Sequence, residues 1–124
     1  MNESLENLLD ETLRELTARD KSPTEVRWVG SRDGKLAVSW AEFESIARDT
    51  DYCSGYGSTF IALDLVVVGD DWWLERSEYD GSEAWAYQIT PVLRRDSRPW
   101  RYVAECPHKG WGDNLADYNQ PDDL

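Results

Sequence analysis

Side chains able to do chemistry are few in this chain and widely spaced. The single histidine, His108, lies two residues after Cys106, and the other cysteine, Cys53, is far away in sequence. A Ser-His-Asp or Cys-His machine would rest on His108 alone. A structural zinc site wants about four ligands, so Cys106 and His108 would need Cys53 and a carboxylate to join them, and no CxxC pair is present. With no secretion signal, two reduced thiols and an exposed histidine are the simpler expectation. Asp33-Gly34-Lys35 has the outline of a carboxylate-x-lysine nuclease motif, but it sits in an expected hairpin turn and no basic substrate groove accompanies it. Asp49 with Asp51, and Asp70 with Asp71, offer oxygen to hard cations without a loop spacing that identifies a site. No G-x-S-x-G, H-E-x-x-H or Walker sequence occurs. The expectation is a non-enzymatic protein with no cofactor and no metal.

The charge balance says more. Of 124 residues, 25 are acidic and 13 basic, a net charge of −12. The length fits one domain, 1–124, and 40% hydrophobic residues with 12% aromatics argue for a packed core. Strong acidity argues against direct grip on nucleic-acid phosphates, which takes lysine and arginine patches. It argues equally against an anionic membrane surface. No run approaches the roughly 20 apolar residues of a spanning helix, and no apolar signal region opens the chain. A soluble, cytoplasmic protein is expected.

Elements follow from periodicity. Leu5, Leu8, Leu9, Leu13 and Leu16 predict an amphipathic helix over 3–19, capped by Asn2 or Ser4, with Glu6, Asp10, Glu11 and Glu15 on its solvated side. A hairpin over 25–38 turns at Ser31-Arg32-Asp33-Gly34. Ser39-Trp40-Ala41-Glu42 is a capping box opening a second helix to about Arg48, with Trp40, Phe43, Ile46 and Ala47 inward. The segment 49–58 reads as a tight connection with packing tyrosines; its serines and glycines form a weak anion cradle beside repelling aspartates. Leu65–Val68, Trp72–Tyr79 and Glu83–Thr90 predict a three-stranded antiparallel meander turning at Gly69-Asp70 and Asp80-Gly81. A short strand is expected over 100–105, then an irregular tail from about 106. The fold class is therefore α+β: an antiparallel sheet, meander plus N-terminal hairpin, with two helices packed mainly on one face.

Two-residue turns fix a register. Glu78 meets Glu83, Arg76 meets Trp85, Leu74 meets Tyr87 and Trp72 meets Ile89; across the other turn Val67 meets Trp72 and Leu65 meets Leu74. One face then collects Leu65, Val67, Trp72, Leu74, Trp85, Tyr87 and Ile89 as core. The other collects Val66, Trp73, Glu75, Tyr79, Ala84, Ala86 and Gln88, which reads either as a recognition surface or as a face covered by a second layer. Glu78 opposite Glu83 is repulsive, and Asp70, Asp71, Glu75 and Asp80 add to that neighbourhood. A cationic partner would relieve this repulsion, whereas solubility is the plainer use of surface acids. Arg94, Arg95, Arg98 and Arg101 form one positive island, suited to pairing with the acidic helix or stacking on tryptophan.

The run from Asp64 through Gly69-Asp70-Asp71-Trp72-Trp73 to Trp85, with Ser39-Trp40-Ala41-Glu42-Phe43 and Gly55-Tyr56-Gly57-Ser58 before it, resembles small uncharacterised acidic proteins encoded by actinobacterial phages, over about residues 36–90. The resemblance brings no catalytic residues. It implies an inhibitor of host machinery, of the anti-restriction, anti-CRISPR or DNA-mimic class. The expected partner is a basic host protein or nucleoprotein complex in the host cytoplasm, met by Asp70, Asp71, Glu75, Glu78, Asp80 and Glu83 with Trp73 and Tyr79 as apolar anchors. A phage structural or assembly component and an antitoxin or immunity protein are the alternatives.

Overall fold

The computed structural model describes residues 5–55, 59–103 and 114–119, and the chain divides into two compact units, Met1–Thr90 and Pro91–Leu124. Among the sequence features, Asn2, Ser4, Tyr56, Gly57, Ser58, Cys106 and His108 lie outside the described residues. The α+β fold belongs to the first unit. Strands β2 (Trp28–Ser31), β3 (Ala37–Val38), β5 (Leu65–Val68), β6 (Trp72–Tyr79) and β7 (Ser82–Ile89) form an antiparallel sheet in the order β3-β2-β5-β6-β7. Two residues of β1 (Glu6–Asn7) and two of β4 (Asp51–Tyr52) make a separate antiparallel pair.

That small pair explains where the first helix, α1 (Leu8–Ala18), begins. The leucine stripe predicts a start near residue 3, but Glu6–Asn7 is extended against β4. Asn7 is the cap: its side-chain oxygen accepts the Asp10 N–H at 3.0 Å, while its amide nitrogen donates to Asp51 and to the Arg48 carbonyl. The second helix, α2 (Trp40–Arg48), starts where the capping box places it, with Ser39 Oγ accepting the Glu42 N–H at 3.1 Å and the Glu42 carboxylate accepting the Ser39 N–H. Phe43 and Ala47 are buried and Trp40 half-buried. Ile46, expected inside, is exposed. It borders an open apolar groove of about 260 Å³ beside Leu36, Val38, Phe43 and Leu65.

The β6–β7 hairpin carries the expected register, from Tyr79 opposite Ser82 to Trp72 opposite Ile89. Both turn residues take positive φ, Asp80 at 52° and Gly81 at 85°, the geometry of a two-residue type I′ turn whose twist matches the strands it joins. The β5–β6 pairing differs from expectation. Val67 faces Leu74 instead of Trp72, because the two turning residues are Asp70-Asp71 and not Gly69-Asp70: Gly69 lies opposite Trp72, and its N–H donates to the Trp72 carbonyl at 2.8 Å. A slip of two residues leaves every side chain on its expected face, where a slip of one would have inverted them all. Val29, Val67, Trp72, Leu74 and Trp85 therefore meet Leu8, Leu9, Leu16, Phe43 and Ala47 in one core. Ile89, assigned to that core by alternation, sits at the strand end and is 63% exposed.

On the sheet's other face the β2–β3 hairpin is no second layer, since it joins the same sheet beside β5. Val66 is buried there and Trp28 and Trp73 are half-buried. In the second unit, residues 100–103 form no strand. The Asn119 amide takes the backbone bonds that a neighbouring strand would have made. Its oxygen accepts from the Arg101 and Tyr102 N–H groups, and its nitrogen donates to the Tyr102 and Leu115 carbonyls, all at 2.7–2.9 Å. This fastens the short helix α3 (Leu115–Tyr118) to that segment. Arg94 pairs with its near neighbour Asp96 at 2.7 Å.

The Trp72 ring lies on Gly69, so a methyl group at Gly69 would stand only 2.1 Å from ring carbon Cε2. Gly69→Ala is expected to lower stability by about 1–3 kcal/mol, the usual range for overpacking. Urea unfolding of the variant against the parent measures it, and an unchanged midpoint would mean that the ring has room to move.

Candidate interaction surface

The β6–β7 hairpin sorts its charges between inside and outside. Trp72, Leu74 and Arg76 alternate onto the core face, and so do Glu83 and Trp85 of β7. Arg76 and Glu83 are consequently interior groups. The Arg76 side chain is 2% exposed, and its Nη2 donates to Glu83 Oε1 and to the Tyr52 hydroxyl, each at 3.0 Å. Nη1 reaches Glu11 at 3.4 Å, and the Tyr52 hydroxyl donates to the same Glu11 oxygen at 2.5 Å. The guanidinium carbon stands 4.7 Å from the centre of the Trp85 ring. Glu83 also accepts the N–H groups of Phe60 and Ile61, at 2.7 and 3.3 Å. One arginine thus joins α1, β4, β6, β7 and the loop before β5.

This corrects two readings of the sequence. Glu83, expected on a partner-binding surface, is 5% exposed and fully engaged inside. Its repulsion with Glu78 needs no external cation, because the two carboxylates point apart: Glu83 to Arg76 and Glu78 to the Gly81 N–H at 2.8 Å. Glu11, expected on the solvated side of the helix, faces the core. The spacing held the signal, since Glu11 follows Leu8 by three residues and Arg76 continues the inward alternation of Trp72 and Leu74. The composition of the acidic helix masked it.

The remaining acids fall into two groups. Asp70 is held by Arg27 at 3.0 Å, and Glu75 by Arg32 at 3.5 Å and by the Trp73 indole N–H at 2.7 Å. Trp73 is thereby a half-buried partner of Glu75, not a projecting anchor. Asp71, Glu78 and Asp80 are exposed and form no ion pair among the described residues. Asp71 and Glu78 stand at opposite ends of β6, about 24 Å apart at ~3.4 Å per residue. The eight positions therefore do not make one patch. What they do make is a tip, in which Tyr79, 84% exposed, is flanked by Glu78 and Asp80. An exposed aromatic ring at an acidic turn suits a cationic side chain, which the ring face attracts and the nearby charges favour.

Elsewhere the motifs with chemical promise are absorbed by local structure. Asp33 closes its own turn by accepting from Ser31 Oγ at 2.7 Å and the Lys35 N–H at 3.0 Å. These bonds, the Ser31 hydroxyl first, hold its carboxyl below the usual carboxylate range. Among the described residues no three His, Cys, Asp or Glu side chains are placed to hold a metal ion.

Two outcomes are expected of the buried cluster. Arg76→Met leaves Glu11 and Glu83 buried without a cation and should cost about 3–5 kcal/mol in urea unfolding; a loss under about 1 kcal/mol would mean the carboxylates are not confined. Tyr52 yields a pH dependence. Burial, and next the Glu11 bond, raise its phenol well above the ordinary value of 10. Below that pH both folded and unfolded chains keep the proton. Above it only the unfolded chain releases the proton, so stability falls as pH rises. Tyr52→Phe should show a shallower alkaline decline than the parent, and parallel declines would contradict this.

Comparison of the chain with family models, with curated proteins and with solved structures gives no match.

Proposed function

We propose that this chain is a non-enzymatic acidic binding protein that occludes a basic, nucleic-acid-handling host protein, an inhibitor of the phage type read from the sequence. The observation that carries the reading is the hairpin tip. Tyr79 ends an eight-residue strand in a tight I′ turn and is 84% exposed, with Glu78 before it and Asp80 after it in the chain. Packing does not ask for an aromatic side chain there, and the turn would close as well on a small polar residue. Burial of Tyr79 against a partner removes apolar surface from water, and aromatic groups of this kind dominate binding energy at interfaces. The flanking acids select a cationic surface and speed encounter with it, the more so because the whole chain carries −12. Asp71, at the far end of the strand, extends the attraction without belonging to the contact.

Glu83 and Glu75 take no part in this version of the surface, because each is committed to an internal partner. The test uses the tip alone: Glu78→Lys, Tyr79→Ala and Asp80→Asn together, the last keeping a residue that tolerates positive φ. The parent and the triple variant are used to capture proteins from a host lysate at low and high salt. The expected result is a basic protein retained by the parent at low salt, released at high salt, and absent from the variant, whose melting temperature stays near the parent's. Equal capture by both proteins would overturn the assignment of the tip.

A further inference from the structure

Among the described residues the sheet ends on β7, an eight-residue strand with no strand on its outer side. Which backbone groups point outward follows from the register. In an antiparallel pair, residues that exchange bonds with the neighbour alternate with residues whose N–H and C=O groups point away. Tyr79 and Ser82 flank the two-residue turn, so Ser82, Ala84, Ala86 and Gln88 face β6, while Glu83, Trp85, Tyr87 and Ile89 face out. Two bonds agree with this parity. The Thr90 N–H donates to the Asp71 carbonyl, continuing the even series toward β6, and the Glu83 N–H donates outward to the Ser54 carbonyl, both at 2.8 Å. Ser54 thus closes the start of the edge. The outward groups of Trp85, Tyr87 and Ile89 have no partner among the described residues.

Natural edge strands of this length are guarded by lysine, proline, a bulge or an inward charge aimed at an incoming strand. From Ala84 to Ile89 this one has none of these. Its only ionisable acid, Glu83, is buried on Arg76. In a chain of net charge −12, the free edge is therefore an uncharged stretch, and an incoming cationic strand would find no carboxylate on it to face. What fits is another uncharged strand with the same spacing of outward groups. We infer that the free edge of β7 pairs antiparallel with β7 of a second copy of this chain, joining two five-stranded sheets into one of ten. A twofold axis at Tyr87 sets Trp85 against Ile89 of the second copy and Tyr87 against its own equivalent. This is a self-complementary register in which every outward group of the three residues finds a partner. Ile89, 63% exposed at the end of the core face, then lies against the Trp85 position of the second copy, and Ala86 meets Gln88 on the other face. No like charges are opposed among the paired residues of the seam, and the Arg19 guanidinium, 5.1 Å from the centre of the Tyr87 ring, carries its own counter-ion in Glu15 at 2.9 Å.

The surface acids of the two copies still repel at a distance, so the pairing carries a salt signature of its own: it tightens as salt is added. Binding of a basic partner at the hairpin tip weakens under the same change, which separates the two surfaces in one titration. The experiment is sedimentation equilibrium of the full chain from micromolar to millimolar concentration at low and high sodium chloride, with amide exchange read at Trp85, Tyr87 and Ile89. A monomer–dimer equilibrium is expected whose association strengthens several-fold at high salt, with those three amides protected in step with the dimer. Ile89→Lys, a change at an exposed position that leaves the ladder intact, should abolish the dimer. Tyr87→Pro, which removes an outward donor but also the ring stacked on Trp72, should do the same. A single monomeric species under all conditions would overturn the inference, as would a dimer that persists in Ile89→Lys or leaves the three amides unprotected.

Discussion

The Arg76 guanidinium is the constraint around which the first unit is organised. Desolvating an arginine is costly, and the attraction of one carboxylate seldom repays it, so a buried arginine persists only where several acceptors are held ready. Glu83 supplies a carboxylate from the adjacent strand, Glu11 a second from α1, and Tyr52 a hydroxyl from β4, with the Trp85 ring beneath. Each acceptor is itself fastened: Glu83 by two backbone N–H groups, and Glu11 by the Tyr52 hydroxyl. Helix and sheet could slide along one another on apolar contacts alone. A directional cluster among them admits one placement. The Trp85 indole N–H, donating to the buried Thr12 hydroxyl at 2.9 Å, adds a second directional link between β7 and α1.

How much of this was legible depended on whether the deciding interaction was local. The type I′ turn at Asp80-Gly81 fixes eight pairs by arithmetic, and the capping box at Ser39 fixes the start of α2, because both are written in neighbouring residues. The place of the turn after β5 was not legible: Asp70-Asp71 makes it, while Gly69, the residue that looked like the turn, lies under the Trp72 ring. The start of α1 was hidden for a different reason: the strand that displaces it, Asp51–Tyr52, is more than forty residues away. Nothing in the order of residues 100–103 announces that the Asn119 amide will occupy their backbone groups. Within the β6–β7 hairpin, the register fixed which residues pair but not which of its charges are interior. Glu83 and Glu11 looked like surface acids because so many others are.

The division of acids between interior and surface changes the meaning of the net charge. Glu11 and Glu83 share Arg76, Asp70 pairs with Arg27 and Glu75 with Arg32, so the acids about this hairpin that lack an ion pair among the described residues stand at its two ends. Between those ends lie Ala84, Ala86 and the uncharged edge of β7. The hairpin is polarised along its length: an aromatic group set in acid at the turn, and a neutral backbone edge behind it. Charge reaches a partner from a distance, whereas the neutral edge acts only at contact.

The buried cluster also orders events in time. Glu11 and Arg76 are 65 residues apart, whereas Arg76 and Glu83 are separated by seven. As the chain emerges from a ribosome, α1 is complete long before the arginine it must receive has been made, and its inward carboxylate waits in water. The β6–β7 hairpin then closes on its own short turn and brings Arg76 with Glu83 already beside it. Helix α1 is therefore made well before the hairpin and is among the last elements that can lock, and until then its leucines are exposed to whatever else the cell offers.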